Sequence, residues 1–566
     1  LQLRHNNGSF WLEYYDRSLP LNPRSVRQIL RYELERLEEE MGSSDPHLLE
    51  LRSILFQLEQ TPAYTETDPK LIEDRHRETR VARERLANLA GNCARISRHI
   101  EDNVRIFNGR PGEPSSFLLL HELLEDQAYR LAYWRTATHE INYRRFFDIN
   151  ELAGIRMEDD TVFDAAHTLM LRLIREGLVN GLRLDHVDGL FDPAGYFEKL
   201  VKSAGDPRAP IYLVVEKILS PGERLRENWM VHGTTGYEFL NQLTALFVDG
   251  RTASRMRKIY ERFVGQRDSF PDIVYESKKL IISTAMASEL NVLADELNRL
   301  SEWNWRTRDF TLDSLQEALR EVVACFPVYR TYVGAGRAAE FDYREIDTAV
   351  RRALRRNPAL ENTIFDFIRE TLQAAPKEAF TSAENERRVR FALKFQQYTG
   401  PVQAKGLEDT AFYRYGPLIS LNEVGGGPFR FGISPAEFHQ ANQERLSSWP
   451  WAMLTTATHD TKRGEDARAR LNVLSEIPDQ FRAELSHWAR LNAGKKTMVH
   501  RQPAPDRTEE YFFYQTLLGA WECASGQELP PEFVERIRGC MVKAVREAKV
   551  HTSWIHPSED YEQAVL

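Results

Sequence analysis

Two short stretches indicate the fold class, Asn180-Gly-Leu-Arg183-Leu-Asp185-His186-Val-Asp188-Gly189-Leu-Phe-Asp192-Pro193 and Ile211-Tyr-Leu-Val-Val-Glu216-Lys217-Ile-Leu219. Each starts as a short apolar strand and ends on charged side chains, which predicts that Asp185 and Glu216 follow two strands. The amphipathic segment 194–202 between them predicts a crossover helix. Strand, helix and strand with acids at both strand ends is typical of the catalytic face of a (β/α)8 barrel of the TIM type.

Composition limits the class of protein. The chain has 566 residues, which is enough for two to four domains by the usual domain size. Hydrophobic residues make up 42% and charged residues 28%, so sizeable cores and a polar surface are both expected. The formal net charge of −9 argues against nucleic acid as a partner. No run approaches the roughly 18 apolar residues of a membrane helix, so no membrane partner is expected.

Cysteine usage indicates the compartment. The chain has Cys93, Cys325, Cys523 and Cys540, and no two of them form a CxxC pair. This spacing supports neither a metal site nor a disulfide framework, so we predict a cytoplasmic location. The chain begins at Leu1 rather than at Met, so we expect the first residues of the native protein to be missing.

Helical periodicity and changes in composition predict five parts. The parts are a mostly helical insertion (1–140), a barrel segment with the first two acids (141–240), a second helical insertion (241–395), a substrate-binding loop with the third barrel strand (396–475) and a helical segment (476–566). The third strand is expected at 453–458, and His459 and Asp460 follow it.

The three acids Asp185, Glu216 and Asp460 are the candidate catalytic groups. Retaining glycoside chemistry needs an ionised carboxylate and a protonated carboxyl group roughly 5–5.5 Å apart. Like charges and partial burial raise the pKa of the acid, so that it donates a proton near neutrality. Arg183 lies two residues before Asp185 and points to the same side of the strand, where it can orient that carboxylate.

Other chemistries fit less well. His186, Asp188 and His459 contain metal-ligand types, but their spacing matches no closed zinc pattern. A histidine beside an aspartate is equally suited to binding sugar hydroxyls. The chain has no G-x-S-x-G elbow, no G-x-G-x-x-G and no P-loop. We therefore predict no metal and no cofactor.

Two stretches combine aromatic and charged residues. The stretch 141–150, with Arg144 and Asp148, fits a sugar-binding loop or a strand with core phenylalanines and a surface arginine pair, and the sequence leaves both open. The stretch 396–425 is also rich in glycine. It fits a loop wall that binds sugar hydroxyls, or a salt-bridged loop with aromatic anchors.

These blocks resemble the α-amylase family of glycosidases and transglycosidases, glycoside hydrolase family 13. The stretch 181–186 is similar to the nucleophile strand of that family, 215–217 to its acid/base strand, and 458–460 to the strand with its third acid. Their order and spacing match together.

The resemblance implies a role for each acid: Asp185 is the nucleophile, Glu216 the acid/base and Asp460 the stabiliser of the transition state. It also implies that His186 and His459 bind sugar hydroxyls.

The stretches 275–278, 326–332 and 404–415 are closest to one member of the family, an isomerase. The resemblance implies an intramolecular transglucosylation that converts the reducing-end α-1,4 linkage of a maltodextrin or glycogen-derived oligosaccharide to an α,α-1,1 linkage. It also suggests a separate hydrolase that releases trehalose from the product. Lys405, Glu408 and Tyr413 are candidates for holding the glucose that reorients.

Two alternatives remain open, an α-1,4-glucan hydrolase and a non-catalytic, glucan-binding helical scaffold. The early Asp…Asn-His motif of the family is absent, and so is a late Pro-Gly-x-Pro segment. The resemblance therefore implies an incomplete barrel with large helical insertions. We expect the first strands, the last strand and the C-terminal β-sandwich to be missing from this chain.

Overall fold

The computed structural model describes residues 1–205, 211–334, 338–375, 380–522 and 528–566, which leaves Cys523 outside the described residues. The chain forms two compact units, Leu1–Trp134 and Arg135–Leu566. It is α/β and rich in helix. Among the described residues, every helix is too short or too polar to span a bilayer. The five-part division remains a prediction.

The first unit is a small antiparallel sheet with a helical body. The strands pair in the order β1-β2-β3, with Leu3 opposite Leu12. The alternation of buried and exposed residues along β1 and β2 puts one face of this sheet on the leucine-rich core of the helices. Its elements are β1 (Gln2–Asn6), β2 (Ser9–Tyr14), β3 (Arg17–Pro20), α1 (Val26–Arg31), α2 (Leu34–Met41), α3 (Pro46–Gln60), α4 (Pro69–Asn92), α5 (Ala94–Phe107) and α6 (Leu118–Glu125).

The second unit contains the remaining elements. Its first half consists of α7 (Ala137–Glu140), β4 (Arg145–Phe146), β5 (Ile149–Ala153), α8 (Asp160–Arg175), β6 (Gly181–Leu184), α9 (Pro193–Ala204), β7 (Tyr212–Val215), β8 (Gly233–Thr234), α10 (Tyr237–Leu246), α11 (Ala253–Val264), α12 (Phe270–Thr284) and α13 (Ala287–Ser301). Its second half consists of α14 (Leu312–Ala324), α15 (Glu340–Arg356), α16 (Asn362–Gln373), α17 (Ser382–Gln403), a π-helix (Ala404–Ala411), α18 (Phe412–Arg414), α19 (Pro435–Ser448), α20 (Glu465–Asn472), α21 (Pro478–Asn492), β9 (Thr497–Val499), β10 (Gln502–Ala504), α22 (Arg507–Ala520), α23 (Pro531–Ala548) and α24 (Glu559–Val565).

A parallel sheet of order β6-β7-β8 carries the first two acids. The predicted crossover helix is α9, and the Asp192 side chain caps it by accepting a hydrogen bond from Gly195 N. Leu213 and Val215 of β7 pack with Phe197 of α9 in a shared apolar core. The prediction of two parallel strands joined by a helix is confirmed.

The predicted third strand at 453–458 is wrong. This segment belongs to no strand and makes one backbone hydrogen bond to the sheet, from Met453 N to Thr234 O (3.1 Å). Strand β8, which it approaches, is only two residues long, so no ladder of hydrogen bonds develops. The approach is close: a Cβ atom at Gly233 would lie 2.5 Å from the Cβ atom of Ala452.

The predicted loop at 396–425 is also wrong over its first half, because α17 continues through Pro401 into the π-helix and α18. Gly400 and Pro401 resemble a helix stop in the sequence, but both are buried in the packed interior, which outweighs their low helix propensity. A Cβ atom at Gly406 would lie 2.6 Å from Lys278 Cγ, so glycine allows the π-helix to pack closely on α12. In the segment 476–566, the β9–β10 hairpin interrupts the predicted helices.

Candidate active site

Asp185 and Glu216 directly follow strands β6 and β7. The parallel register pairs Leu184 with Val215, so the two acids are neighbours at the carboxyl edge of the sheet. Backbone hydrogen bonds continue past the strands, from Glu216 N to Leu184 O (2.7 Å). His186 N donates to the Glu216 carboxylate at 3.1 Å. The peptide group between Asp185 and His186 thus fixes the position of Glu216 relative to Asp185.

The two acids have different surroundings. The Asp185 side chain is 58% exposed and pairs with Arg183 at 2.6 Å. Glu216 is half-buried, and burial, together with the negative charges of Asp188 and Asp185, raises the pKa of Glu216 to about 7. Asp185 is thus an exposed, ion-paired carboxylate, and Glu216 is a carboxyl group that holds its proton near neutrality. Such a pair suits a nucleophile and a general acid.

His186 lies on a strained turn, with a φ of +46°. Its ring packs against Phe146 and Phe147 of the β4–β5 hairpin, with centroid distances of 5.3 and 4.6 Å. A Cβ atom at Gly189 would lie 2.5 Å from the ring, so a larger residue there would displace the imidazole. Burial lowers the pKa of His186 against the opposing charges of Asp188 and Asp185. A neutral imidazole can both donate to and accept from sugar hydroxyls.

A buried ionic cluster lies behind this turn. Lys217 Nζ is 3.2 Å from Asp188 Oδ2 and 2.9 Å from Glu223 Oε1. The Tyr332 hydroxyl donates to Asp188, and Arg330 donates to the backbone oxygen of Asp188 at 2.8 Å. Asp188 is one of the acids that neutralise Lys217.

Asp460 lies on a turn rather than at a strand end. Thr461 Oγ1 donates to Thr458 O (2.8 Å), and His459 Nε2 is 3.0 Å from Asp460 Oδ2. The side chains of His459 and Asp460 are both exposed. The turn is tied to α10, the helix that follows β8, because the Tyr237 hydroxyl is 2.8 Å from Thr458 Oγ1.

Tyr237 lies near Glu216 and Asp460 and was not predicted from the sequence. Burial raises the pKa of Tyr237 to about 12, and the negative charges of Asp460 and Glu216 add to this effect. Both carboxylates are therefore within electrostatic reach of one buried hydroxyl group. The structure places Asp185 and Glu216 side by side, and Tyr237 connects the turn that carries Asp460 to the helix after β8.

Glu423 fixes the turn that carries Asp460, and this role was not predicted from the sequence. It is almost fully buried and accepts hydrogen bonds from the backbone N–H groups of Lys462 (2.6 Å) and Arg463 (3.1 Å). A buried carboxylate that accepts several backbone hydrogen bonds fixes the position of that backbone. Its place within Leu421-Asn-Glu423, outside any strand, gave no sign of this role in the sequence.

Four charges alternate beside the turn that carries Asp460. Asp148 and Lys405 are 3.2 Å apart, Lys405 and Asp409 3.4 Å, and Lys462 and Asp409 3.3 Å. The Lys462 ammonium lies 5.5 Å from the centre of the Tyr413 ring. The predicted residues Asp148, Lys405 and Tyr413 therefore belong to one cluster, and Asp409 and Lys462 complete it.

Two predicted sugar-binding residues already have protein partners. Glu408 is buried, accepts hydrogen bonds from the Tyr329 hydroxyl and from Gly425 N (2.9 Å), and has its pKa raised to about 7 by burial. Arg144 donates to Gly189 O (2.8 Å). Both support backbone around the site, and their contact with sugar remains a prediction.

The stretch 141–150 fits neither alternative fully. It forms the β4–β5 hairpin, but Arg145 is buried, pairs with Glu289 (2.8 Å) and donates to Ala285 O (2.6 Å). Phe146, expected in a core, is 37% exposed. The arginine therefore anchors the hairpin, while the phenylalanine faces outward.

A large groove adjoins the catalytic edge. It has a volume of about 1480 Å³, and its walls come from the stretch 141–158, the turn after β6, α13 and α17. Asp185, His186 and Arg144 line it. Pockets for small ligands usually measure roughly 300–1,000 Å³, so this groove has room for several sugar rings.

Comparison with known proteins relates this chain to one enzyme group. No family model matches the chain. A curated protein of Mycobacterium tuberculosis (strain CDC 1551 / Oshkosh), provisionally named maltooligosyl trehalose synthase, is 36% identical over 439 residues, which cover 78% of this chain and 52% of that protein. The chain is homologous to the maltooligosyl trehalose synthases. This confirms the resemblance seen in the sequence blocks.

Solved structures agree with this relationship. The structure of maltooligosyltrehalose synthase from Arthrobacter ramosus has a TM-score of 0.66 and 34% identity, and the match covers 81% of this chain and 52% of that one. The crystal structure of a hypothetical maltooligosyl trehalose synthase from Sulfolobus tokodaii has a TM-score of 0.64 and 27% identity, and covers 100% of this chain and 56% of that one. The chain thus spans about half the length of the relatives it matches.

Proposed function

We propose that the protein catalyses an intramolecular transglucosylation, as a (1→4)-α-D-glucan 1-α-D-glucosylmutase. The reducing-end α-1,4 linkage of a maltodextrin becomes an α,α-1,1 linkage, so the product ends in trehalose. The observation that carries this proposal is the pair of neighbouring acids, an ion-paired Asp185 and a half-buried Glu216. The names of the homologues support the choice of reaction.

The proposed scaffold is a (β/α)8 barrel of which this chain holds only a part. The parallel order β6-β7-β8 with the crossover helix α9 supports this scaffold. Among the described residues, β6 has a strand partner on one side only, and its Arg183 is exposed. Such an edge is suited to pairing with a further strand.

In the first step, Glu216 gives its proton to the oxygen of the α-1,4 bond while Asp185 attacks the anomeric carbon. The C–O bond of the substrate breaks, and an ester bond to Asp185 forms. Free glucose, which leaves with the proton, remains in the site. Asp460, with His459 and His186, stabilises the positively charged, oxocarbenium-like transition state and binds hydroxyl groups.

In the second step, the glucose turns and presents its own anomeric hydroxyl. Glu216, now ionised, takes the proton of that hydroxyl, and the oxygen attacks the anomeric carbon of the glycosyl ester. The bond to Asp185 breaks, and an α,α-1,1 bond forms with retention at the glucosyl carbon. The alternating charges of Lys405, Asp409 and Lys462 provide donors and acceptors on the wall where the glucose would be held.

The outcome depends on keeping water away from the glycosyl ester, because water in the place of glucose gives hydrolysis. The aromatic pair Phe146 and Phe147 lies directly against His186 and is suited to this task. We propose that the substrate is a maltodextrin or glycogen-derived oligosaccharide, that the enzyme is cytoplasmic, and that a separate hydrolase releases trehalose from the product.

Incubation of the longest expressed form of the polypeptide with maltopentaose tests the reaction. Loss of reducing ends with little free glucose is expected, because the new linkage joins both anomeric carbons. A gain of reducing ends would contradict the proposal and favour an α-1,4-glucan hydrolase. Binding of maltopentaose without any change in reducing ends would favour a glucan-binding scaffold.

The pH dependence of the rate tests the role of Glu216. Because burial and neighbouring charges raise the pKa of Glu216 to about 7, the group is protonated below this pH and loses its proton above it. We expect kcat/KM to fall about tenfold per pH unit at high pH, since the first step needs the proton. The profile should lose this limb in the residual activity of Glu216→Gln. An unchanged limb in that variant would assign it to another group.

A further inference from the structure

A second cavity lies in the same unit and shares no lining residue with the groove. It has a volume of about 550 Å³. Its walls come from α12, the segment after α14, α15, the π-helix and the loop at 425–429. The proposed reaction uses none of its basic side chains. Its size matches a ligand of one sugar ring with a substituent.

Four basic side chains, Lys278, Arg352, Arg355 and Arg356, line it together with one buried acid, Glu408. Arg352, Arg355 and Arg356 of α15 lie at the exposed side of the cavity. Arg356 is paired with Asp272 and stacks on the Tyr275 ring at 4.2 Å. Within the described ranges, the guanidinium groups of Arg352 and Arg355 form no ion pair and no hydrogen bond with protein. Two positive charges of this cavity therefore lack a counter-charge.

Lys278 extends the positive lining inward. It is 3% exposed, and its ammonium donates one hydrogen bond, to Phe326 O (2.7 Å). Its other two N–H donors have no acceptor among the described residues. Burial lowers the pKa of Lys278 to about 7; the nearby Cys325 opposes this and the charge of Arg352 adds to it. An anion in the cavity would supply the missing acceptor and favour the charged amine.

Gln403 provides an acceptor on another wall. The residue is 6% exposed, and its Oε1 atom is buried without a hydrogen-bond partner among the described residues. Burying a polar atom without a partner is unfavourable, and such atoms are rare in folded proteins, so this one indicates a missing donor. A hydroxyl group on a ligand would be that donor.

We propose that this cavity binds a phosphorylated sugar, with the phosphate against Arg352, Arg355 and Lys278 and a hydroxyl group toward Gln403. Guanidinium groups match the oxygen geometry of phosphate and bind it with two hydrogen bonds each. Free phosphate shares the anionic part of this chemistry.

Isothermal titration calorimetry in a buffer free of phosphate and sulfate tests the proposal, with glucose 6-phosphate, inorganic phosphate and glucose as separate probes. We expect saturable binding of glucose 6-phosphate and none of glucose. Arg352→Gln should weaken binding at least tenfold. Arg351→Gln is the matched control: it is an exposed arginine on the same helix that does not line the cavity, and it should change binding less than twofold.

The other outcomes are equally informative. Equal binding of inorganic phosphate and the ester would support the anion site and make free phosphate its ligand. No binding of either anion, or equal weakening by Arg351→Gln and Arg352→Gln, would overturn the proposal. Asp185→Asn should leave binding unchanged, so a failure here is distinguishable from a failure of the transglucosylase assignment. Because Arg352 is exposed, its variant is expected to fold normally.

Discussion

Asp185→Asn is expected to abolish the conversion of maltopentaose while the protein stays folded. An amide is too poor a nucleophile to form the glycosyl ester, and loss of a covalent nucleophile commonly lowers kcat by about 10⁴-fold or more. The side chain is 58% exposed, and among the described residues it forms an ion pair with Arg183 alone, so the stability cost should stay below about 1 kcal/mol. Loss of reducing ends measures the rate, and the thermal midpoint measures the fold.

Asp164→Asn is the matched control. This aspartate is exposed on α8, so the same change of charge should leave both the rate and the thermal midpoint unaltered. Normal turnover by Asp185→Asn would sink the assignment of the nucleophile. A large fall of the midpoint would show instead that Asp185 is structural, and the loss of rate would then say little about chemistry.

The sequence predicted the part of the site that depends on local pattern. Short apolar runs ending in Asp185 and Glu216, with an amphipathic segment between them, were enough to predict β6, α9 and β7, because parallel neighbours need a crossover. Side-by-side placement of the two acids then follows from their equivalent positions after the strands. These inferences need only periodicity and strand direction.

Other parts depend on contacts between distant segments. The Asp460 turn is held by Glu423 and Tyr237, which lie 37 and 223 residues away in the sequence by their numbers, and no local pattern marks such partners. The density of charged, aromatic and glycine residues in 396–425 predicts a loop at 404–411. In the structure, charges such as Lys405 and Asp409 neutralise each other, so a buried π-helix is possible.

The buried position of Lys217 is another feature that the sequence did not predict. In the sequence it is one lysine beside a candidate acid, and a solvent-facing position would be the ordinary expectation. In the structure it is 2% exposed and lies between Asp188 and Glu223. Burial alone would lower the pKa of Lys217, but these two negative charges raise it above its usual value. The lysine is therefore charged, and its charge is what makes two buried acids tolerable.

Lys217→Met is expected to destabilise the second unit by about 3–5 kcal/mol, because it leaves two buried carboxylates without their cation. Urea and thermal denaturation measure the loss, and the exposed Lys202→Met on α9 should stay within about 0.5 kcal/mol of the original chain. Adding Glu223→Gln should restore part of the stability, since it removes one of the stranded charges. If Lys217→Met behaved like Lys202→Met, the cluster would not be what holds the turn between β6 and α9. Such a result would leave the strained φ of His186 to be explained by the Phe146–Phe147 contacts alone.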